Sequence, residues 1–354
     1  MEISEVEART EDKIETRNYL VDNIPIEVKA KRFLLQEDSL KVEENSTSGM
    51  ATIVLPGWSA NLGGKSVELL GQAFADQSGI TYAITTRAEQ VIPNSLYKES
   101  QAIVKLIQEK GIKRVILAGN SQGGDKAINV AVILQELSKQ DPEIQVEGVI
   151  LMDSTGLYEQ GKGELAGKFA ADSLLGTPKT SGAAFFRRLG EGIRYRTFFR
   201  KFAPDLLSKA IQAGKVVDSG AVGLDVFLGI VKEMGRSRLE YPKRIINEIR
   251  EMGAINPRMS EVTAPIILVQ GSMDPVSSPE KITPSRDVPT PDLREEYLKA
   301  NLFKSSPAVK MVVAKRVGHH GVPLFRAESV AKVSTYLLHR LHRLNKHLPP
   351  QNTA

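Results

Sequence analysis

Residues 114–138 read RVILAGNSQGGDKAINVAVILQELS: an apolar run, a turn of small residues, then a stretch with helical spacing. The run Arg114–Ala118 is dense in Val, Ile and Leu, as a strand buried on both faces is. Gly119-Asn120-Ser121-Gln122-Gly123 follows at once, and a helix is predicted over Gly123–Ser138. A serine between two glycines has a steric rationale in this strand–turn–helix setting. The tight turn lifts the hydroxyl out of the sheet, and a side chain at either glycine would crowd neighbouring backbone. The helix behind it presents N–H groups to developing negative charge. Ser121 is therefore the candidate nucleophile.

Outward from this turn, short apolar runs alternate with amphipathic stretches, the rhythm of a mostly parallel sheet covered by helices. Strands are predicted at Thr52–Leu55, Thr81–Thr85, Arg114–Ala118, Gly148–Met152, Ile266–Gln270 and Lys310–Ala314. Helices are predicted near Gly64–Ala75, Ser95–Lys110, Gly123–Ser138, Pro291–Leu302 and Ala327 to about Leu344. Extended stretches around Ile26–Leu35 and Ser39–Glu43 could add an antiparallel edge before the first parallel strand. The rhythm breaks between Thr155 and Ser260, where helical spacing continues without a convincing buried strand. The expected organisation is a core from 1 to 154, a helical insertion over 155–260, and the core again over 261–354.

A serine hydroxyl needs a base to take its proton. All five histidines lie at or beyond position 319, so an order with histidine before serine is excluded. His339, His342 and His347 sit in LLHRLHRLNKHL, on the polar side of a terminal helix, and are expected on a solvated face. Gly318-His319-His320-Gly321 forms a turn directly after the last predicted strand. His319, following a glycine, is preferred as base, with His320 as the alternative. The orienting acid is sought at another strand end between serine and histidine. Asp274 in IILVQGSMDPVSSPE fits, and a carboxylate there would fix the imidazole tautomer. Asp153, ending VILMD, is the rival. The backbone N–H of Gln122 is one expected oxyanion donor. The second is the N–H of Trp58, in the loop Leu55-Pro56-Gly57-Trp58-Ser59 after the first parallel strand.

With strand–GNSQG–helix, an upstream Pro-Gly-Trp loop, and Ser121, Asp274 and His319 in that order, the chain resembles the α/β-hydrolase superfamily. The resemblance spans roughly Ile53 to Leu344, with 155–260 in the place of the family's variable cap. It implies a central, mostly parallel sheet flanked by helices, and an esterase-like serine hydrolase acting on a small-molecule acyl substrate without metal or organic cofactor. Amide, thioester and carbon–carbon cleavage, acyl transfer and a non-catalytic binding protein on the same fold stay open. The family often carries His-Gly in the oxyanion loop, where this chain has Pro56-Gly57. Ser59-Ala60-Asn61-Leu62-Gly63-Gly64-Lys65-Ser66 nearly reads as a phosphate-binding loop, but Ser59 replaces the first glycine that such a loop needs to wrap phosphate. Gly63, Gly64 and Lys65 instead read as a helix start.

The composition is ordinary for a globular chain of 354 residues, 41% hydrophobic and 25% charged. Cysteine is absent, which excludes disulfides, thiol catalysis and cysteine-ligated metals. No apolar run approaches the length of a transmembrane helix, and the polar, acidic start MEISEVEARTEDKIET does not look like a secretory signal. A cytoplasmic protein is the expectation. The net charge of +5 is uneven: residues 155–260 carry +7 and the remainder −2. Within that segment AAFFRRLGEGIRYRTFFRKFAPDLL is basic and aromatic together. It could hold an apolar substrate with an acidic head or rest on an anionic membrane surface, or form ordinary helices with Arg stems over apolar surface. Nucleic-acid binding is not expected.

Overall fold

The computed structural model describes residues 14–35, 49–57, 60, 62–88, 92–161, 164–165, 247–272, 274, 276–277, 279–283, 291–315, 317, 319, 322–323 and 326–346. Among these, one sheet runs through strands β1 (Glu15–Val21), β2 (Ile24–Phe33), β3 (Met50–Leu55), β4 (Thr81–Ala88), β5 (Arg114–Asn120), β6 (Gln145–Met152), β7 (Ile266–Gly271) and β8 (Val309–Ala314). Their spatial order is β1-β2-β4-β3-β5-β6-β7-β8. The β1–β2 and β2–β4 pairs are antiparallel, and every pair from β4 to β8 is parallel. The principal helices are α1 (Lys65–Ser78), α2 (Ser95–Glu109), α3 (Gln122–Ser138), α4 (Pro291–Asn301) and α5 (Ala327–Lys346). All six predicted parallel strands and all five predicted helices are present, with ends shifted by a few residues.

Period-two alternation sorts the central strands into two cores. Val115 and Leu117 of β5, Val149 and Leu151 of β6, and Ile266 and Leu268 of β7 face the side covered by α2, α3 and α4. Ile116 and Ala118, Ile150 and Met152, and Ile267 and Val269 face α1 and α5. Strands buried on both faces have no polar side to show, which is why they read as unbroken apolar runs. Beyond the prediction, β1 pairs with β2 through a tight turn at Asp22-Asn23, both at positive φ (49° and 63°). Asn and Asp tolerate that left-handed backbone, so the two residues suit a type I′ hairpin. Strand β1, ETRNYLV, is mostly exposed at the sheet edge and carries little apolar signal. Ser39–Glu43 lies outside the described residues.

The chain runs from β3 out to β4 and then crosses back to place β5 on the other side of β3. Such a reversal leaves a crevice at the carboxyl ends of β3 and β5, because their connections leave in opposite directions. The segment 155–260 enters after β6 and returns before β7, two adjacent parallel strands. Its described ends bind one another: Asn256 N–H donates to Gly156 O at 2.9 Å, and Gln160 N–H to Gly253 O at 2.8 Å. Residues 247–252 are helical, while 166–246, with the basic aromatic stretch, lie outside the described residues. No helix among the described residues is long and apolar enough to cross a membrane.

Candidate active site

The turn after β5 is shaped by backbone crowding. A Cβ on Gly119 would fall 2.3 Å from Gly123 O, and one on Gly123 only 1.9 Å from Leu55 O at the end of β3. Both neighbours are backbone and cannot swing aside, so both glycines of G-x-S-x-G are sterically required. Ser121 itself adopts φ 53°, ψ −123°, a region that L-residues enter only when the surroundings over-determine it. Those surroundings are specific. Ser121 N–H donates to Met152 O at 2.9 Å, while Ser121 O accepts from Gly124 N–H at 2.9 Å and Thr155 N–H at 3.2 Å. The Asn120 amide adds a second bond to Met152 O at 3.0 Å.

Three side chains from three strand ends converge on this turn. His319, after β8, has Nε2 2.8 Å from Ser121 Oγ and Nδ1 2.9 Å from Asp274 Oδ2. All three are buried, His319 to 1% relative exposure. Asp274 is held by a turn of its own, its Oδ1 accepting from Val276 N–H at 2.7 Å and Ser277 N–H at 3.0 Å. Burial alone would raise the Asp274 pKa. The charge and hydrogen bond of His319, with the two N–H groups, outweigh it and hold the carboxyl below its ordinary value. An ionised carboxylate only accepts, so the His319 nitrogen facing it is Nδ1–H, and the Nε2 lone pair is left for the Ser121 hydroxyl.

The rival acid sits elsewhere. Asp153, at the end of β6 with φ 46°, accepts Gly271 N–H on Oδ1 at 2.6 Å and so ties β6 to β7. Gln122 opens α3, where the first N–H groups of a helix lack intrahelical acceptors. Trp58 and His320 lie outside the described residues. Gly57, just before Trp58, does approach the turn: a Cβ there would fall 3.1 Å from Ser121 Cβ. Of the terminal histidines, His339 is exposed as expected. His342 is not on a fully solvated face: it is half-buried, its Nε2 2.7 Å from Glu147 O.

Sequence reasoning missed a polar cluster behind the nucleophile. Asp125, four residues after Ser121, accepts from Thr155 Oγ1 at 2.8 Å and from Asn256 Nδ2 at 3.3 Å. Burial pushes its carboxyl up to about 7, against the lowering effect of those two hydrogen bonds. Next to it, Lys126 pairs with Glu99 of α2 at 2.6 Å, both buried, and bonds Thr86 Oγ1 at 2.9 Å. Glu251 accepts from the N–H groups of Ser95 and Leu96, capping α2 from the segment that returns toward β7. The available signal was Asp-Lys in the first turn of a helix whose following residues, AINVAVIL, are apolar but for Asn129.

No protein-family profile matches the chain, and no curated protein matches it in sequence. Solved structures are similar to it. A thermophilic esterase from Thermogutta terrifontis, with malate bound, is 12% identical at a TM-score of 0.52, over 93% of this chain and 99% of that one. A bromoperoxidase from Bacillus anthracis is 13% identical at 0.48, over 91% of this chain and 99% of that one. A probable hydrolytic enzyme from Pseudomonas aeruginosa is 14% identical at 0.48, over 93% and 94%. Identities this low speak to fold alone, and the esterase, whose TM-score passes 0.5, shares with this chain the α/β-hydrolase fold.

Proposed function

We propose that this chain is a serine hydrolase acting on a carboxylic ester or related acyl substrate. The observation that carries the proposal is the unbroken hydrogen-bonded line from Asp274 through His319 to Ser121, at 2.9 and 2.8 Å. Ser121 Oγ attacks the substrate carbonyl carbon while His319 Nε2 takes the hydroxyl proton. Asp274 fixes the ring and stabilises the imidazolium. The oxyanion is held by the N–H groups of Gln122 and Trp58 as the charge develops. The leaving alcohol takes the proton from His319 as the carbon–oxygen bond breaks. Water, deprotonated by the same nitrogen, then releases the acyl group and regenerates Ser121.

Two features support an acyl substrate. The strained Ser121 turn follows the carboxyl end of β5 beside β3, and Gly57 after β3 approaches it, a Cβ there falling 3.1 Å from Ser121 Cβ. The test is labelling with a fluorophosphonate, comparing wild type with Ser121→Ala by mass spectrometry. Labelling confined to Ser121, followed by turnover of p-nitrophenyl esters, is the expected result. A folded wild type that stays unlabelled would overturn the hydrolase reading in favour of a binding protein. His319→Ala is expected to abolish labelling and His320→Ala only to slow it. The reverse would move the base to His320.

A further inference from the structure

The Asp125 cluster has no part in the chemistry above, yet it reaches the nucleophile by a short path. Asp125 Oδ2 takes the Thr155 hydroxyl at 2.8 Å, and the backbone N–H of the same threonine donates to Ser121 O at 3.2 Å. Ser154, one residue earlier, adds its hydroxyl to Ser121 O at 3.4 Å, and Ser277 Oγ donates to Ser154 O at 2.6 Å. The other Asp125 oxygen accepts from Asn256, whose own N–H binds Gly156 O. Gly156 has φ 75°, and a Cβ there would fall 1.9 Å from Asp125 Oδ1. The carboxylate is thus packed against the chain both where it leaves β6 and where it returns. The residues are buried: Asp125 and Thr155 are 3% and 1% exposed.

We infer that Asp125 is a positioning residue for the nucleophile: it holds Thr155, and Thr155 holds the carbonyl of the strained Ser121. The inference rests on the hydrolase reading of the same site. Ser121 has a backbone that would relax if unsupported, and a carbonyl gripped from the side is one means of keeping its hydroxyl aimed at His319. A glycine or alanine at 125 would leave the Thr155 hydroxyl without its acceptor and weaken that side of the turn's support. The charged groups facing Asp125 are Lys126 on its own helix, engaged with Glu99 of α2, and Glu251 on the 247–252 helix, engaged with the start of α2. Each of these has a partner of its own, which leaves the hydrogen bonds of Thr155 and Asn256 to hold the Asp125 carboxylate.

The experiment measures saturation labelling of Ser121 by a fluorophosphonate in wild type, Asp125→Ala, Thr155→Val and the double variant, each well below its melting temperature. Thr155→Val keeps the backbone N–H and removes only the hydroxyl, so it stands if Asp125→Ala folds poorly. The limiting labelling rate is expected to fall about tenfold or more in each single variant while the half-saturating concentration stays within about threefold. The double variant is expected to lose no more than either single one, because both break the same path. A wild type that labels while Thr155→Val labels at the same rate overturns this inference alone. So does a multiplicative loss in the double variant. A wild type that never labels overturns the hydrolase reading and this inference with it.

Discussion

Replacing Asp274 by Asn isolates the tautomer argument, because the structure dictates how the new amide must sit. Asp274 Oδ1 accepts from two backbone N–H groups, at 2.7 and 3.0 Å. An Asn carbonyl oxygen takes that place. Turning the amide over would oppose its NH2 to both donors, at about 1–3 kcal/mol for each group left unsatisfied, or roughly 2–6 kcal/mol. The amide nitrogen therefore lands where Oδ2 now lies, 2.9 Å from His319 Nδ1. A donor there forces the imidazole into the tautomer with its proton on Nε2, facing the Ser121 hydroxyl it should deprotonate. Even the low end, about 2 kcal/mol, leaves only a few per cent of molecules with a usable base. Loss of the carboxylate's stabilisation of the imidazolium adds to this. The expected fall in turnover of p-nitrophenyl acetate is on the order of 10³–10⁴, or about 4–5.5 kcal/mol. Asp153→Asn keeps an oxygen for Gly271 N–H and is expected to stay within about fivefold of wild type. Both are read against circular dichroism and melting curves. An Asp274→Asn enzyme within tenfold of wild type, or an Asp153→Asn enzyme that loses as much, would remove Asp274 from the role of orienting acid.

Three further outcomes follow from the same geometry. Ser121→Gly is expected to raise stability toward urea by about 1–3 kcal/mol while ending labelling, since glycine occupies φ 53° without strain. An unchanged midpoint would mean that the turn stores no strain. Lys126→Met is expected to cost about 3–5 kcal/mol by stranding the buried Glu99 carboxylate, with Glu99→Gln in the same chain restoring part of it. Two independent losses in the double variant would argue against the pair. Asp125 has its folded pKa raised from 3.8 to about 7. The native state then binds a proton that the unfolded chain has released. This contribution to stability is complete below pH 3.8 and is lost as pH rises toward 7. Asp125→Asn is expected to flatten that part of the stability profile measured by urea unfolding, and an unaltered slope would assign it elsewhere.

The sequence alone determined the central sheet. Strands β3, β5, β6 and β7 are covered on both faces over most of their length, so their apolar runs are unbroken and bounded by turns, and RVILA-GNSQG announces both a strand and the reason for its glycines. Chain order also limited the histidine: with all five beyond Ser121, only the turn after β8 offered one near a strand end. Where sequence preferred one candidate by strand context alone, packing supplied the contacts. Asp274 and Asp153 both end strands with an aspartate, and only the fold shows His319 beside the first and Gly271 N–H on the second. Strand β1 was silent because an edge strand with an exposed face needs no apolar pattern, and its evidence lay in the Asp22-Asn23 turn. The Asp125–Thr155–Asn256 cluster joins residues up to 131 positions apart. A buried polar group is defined by the partners that satisfy it, and partners so distant in sequence meet only when the sheet has formed.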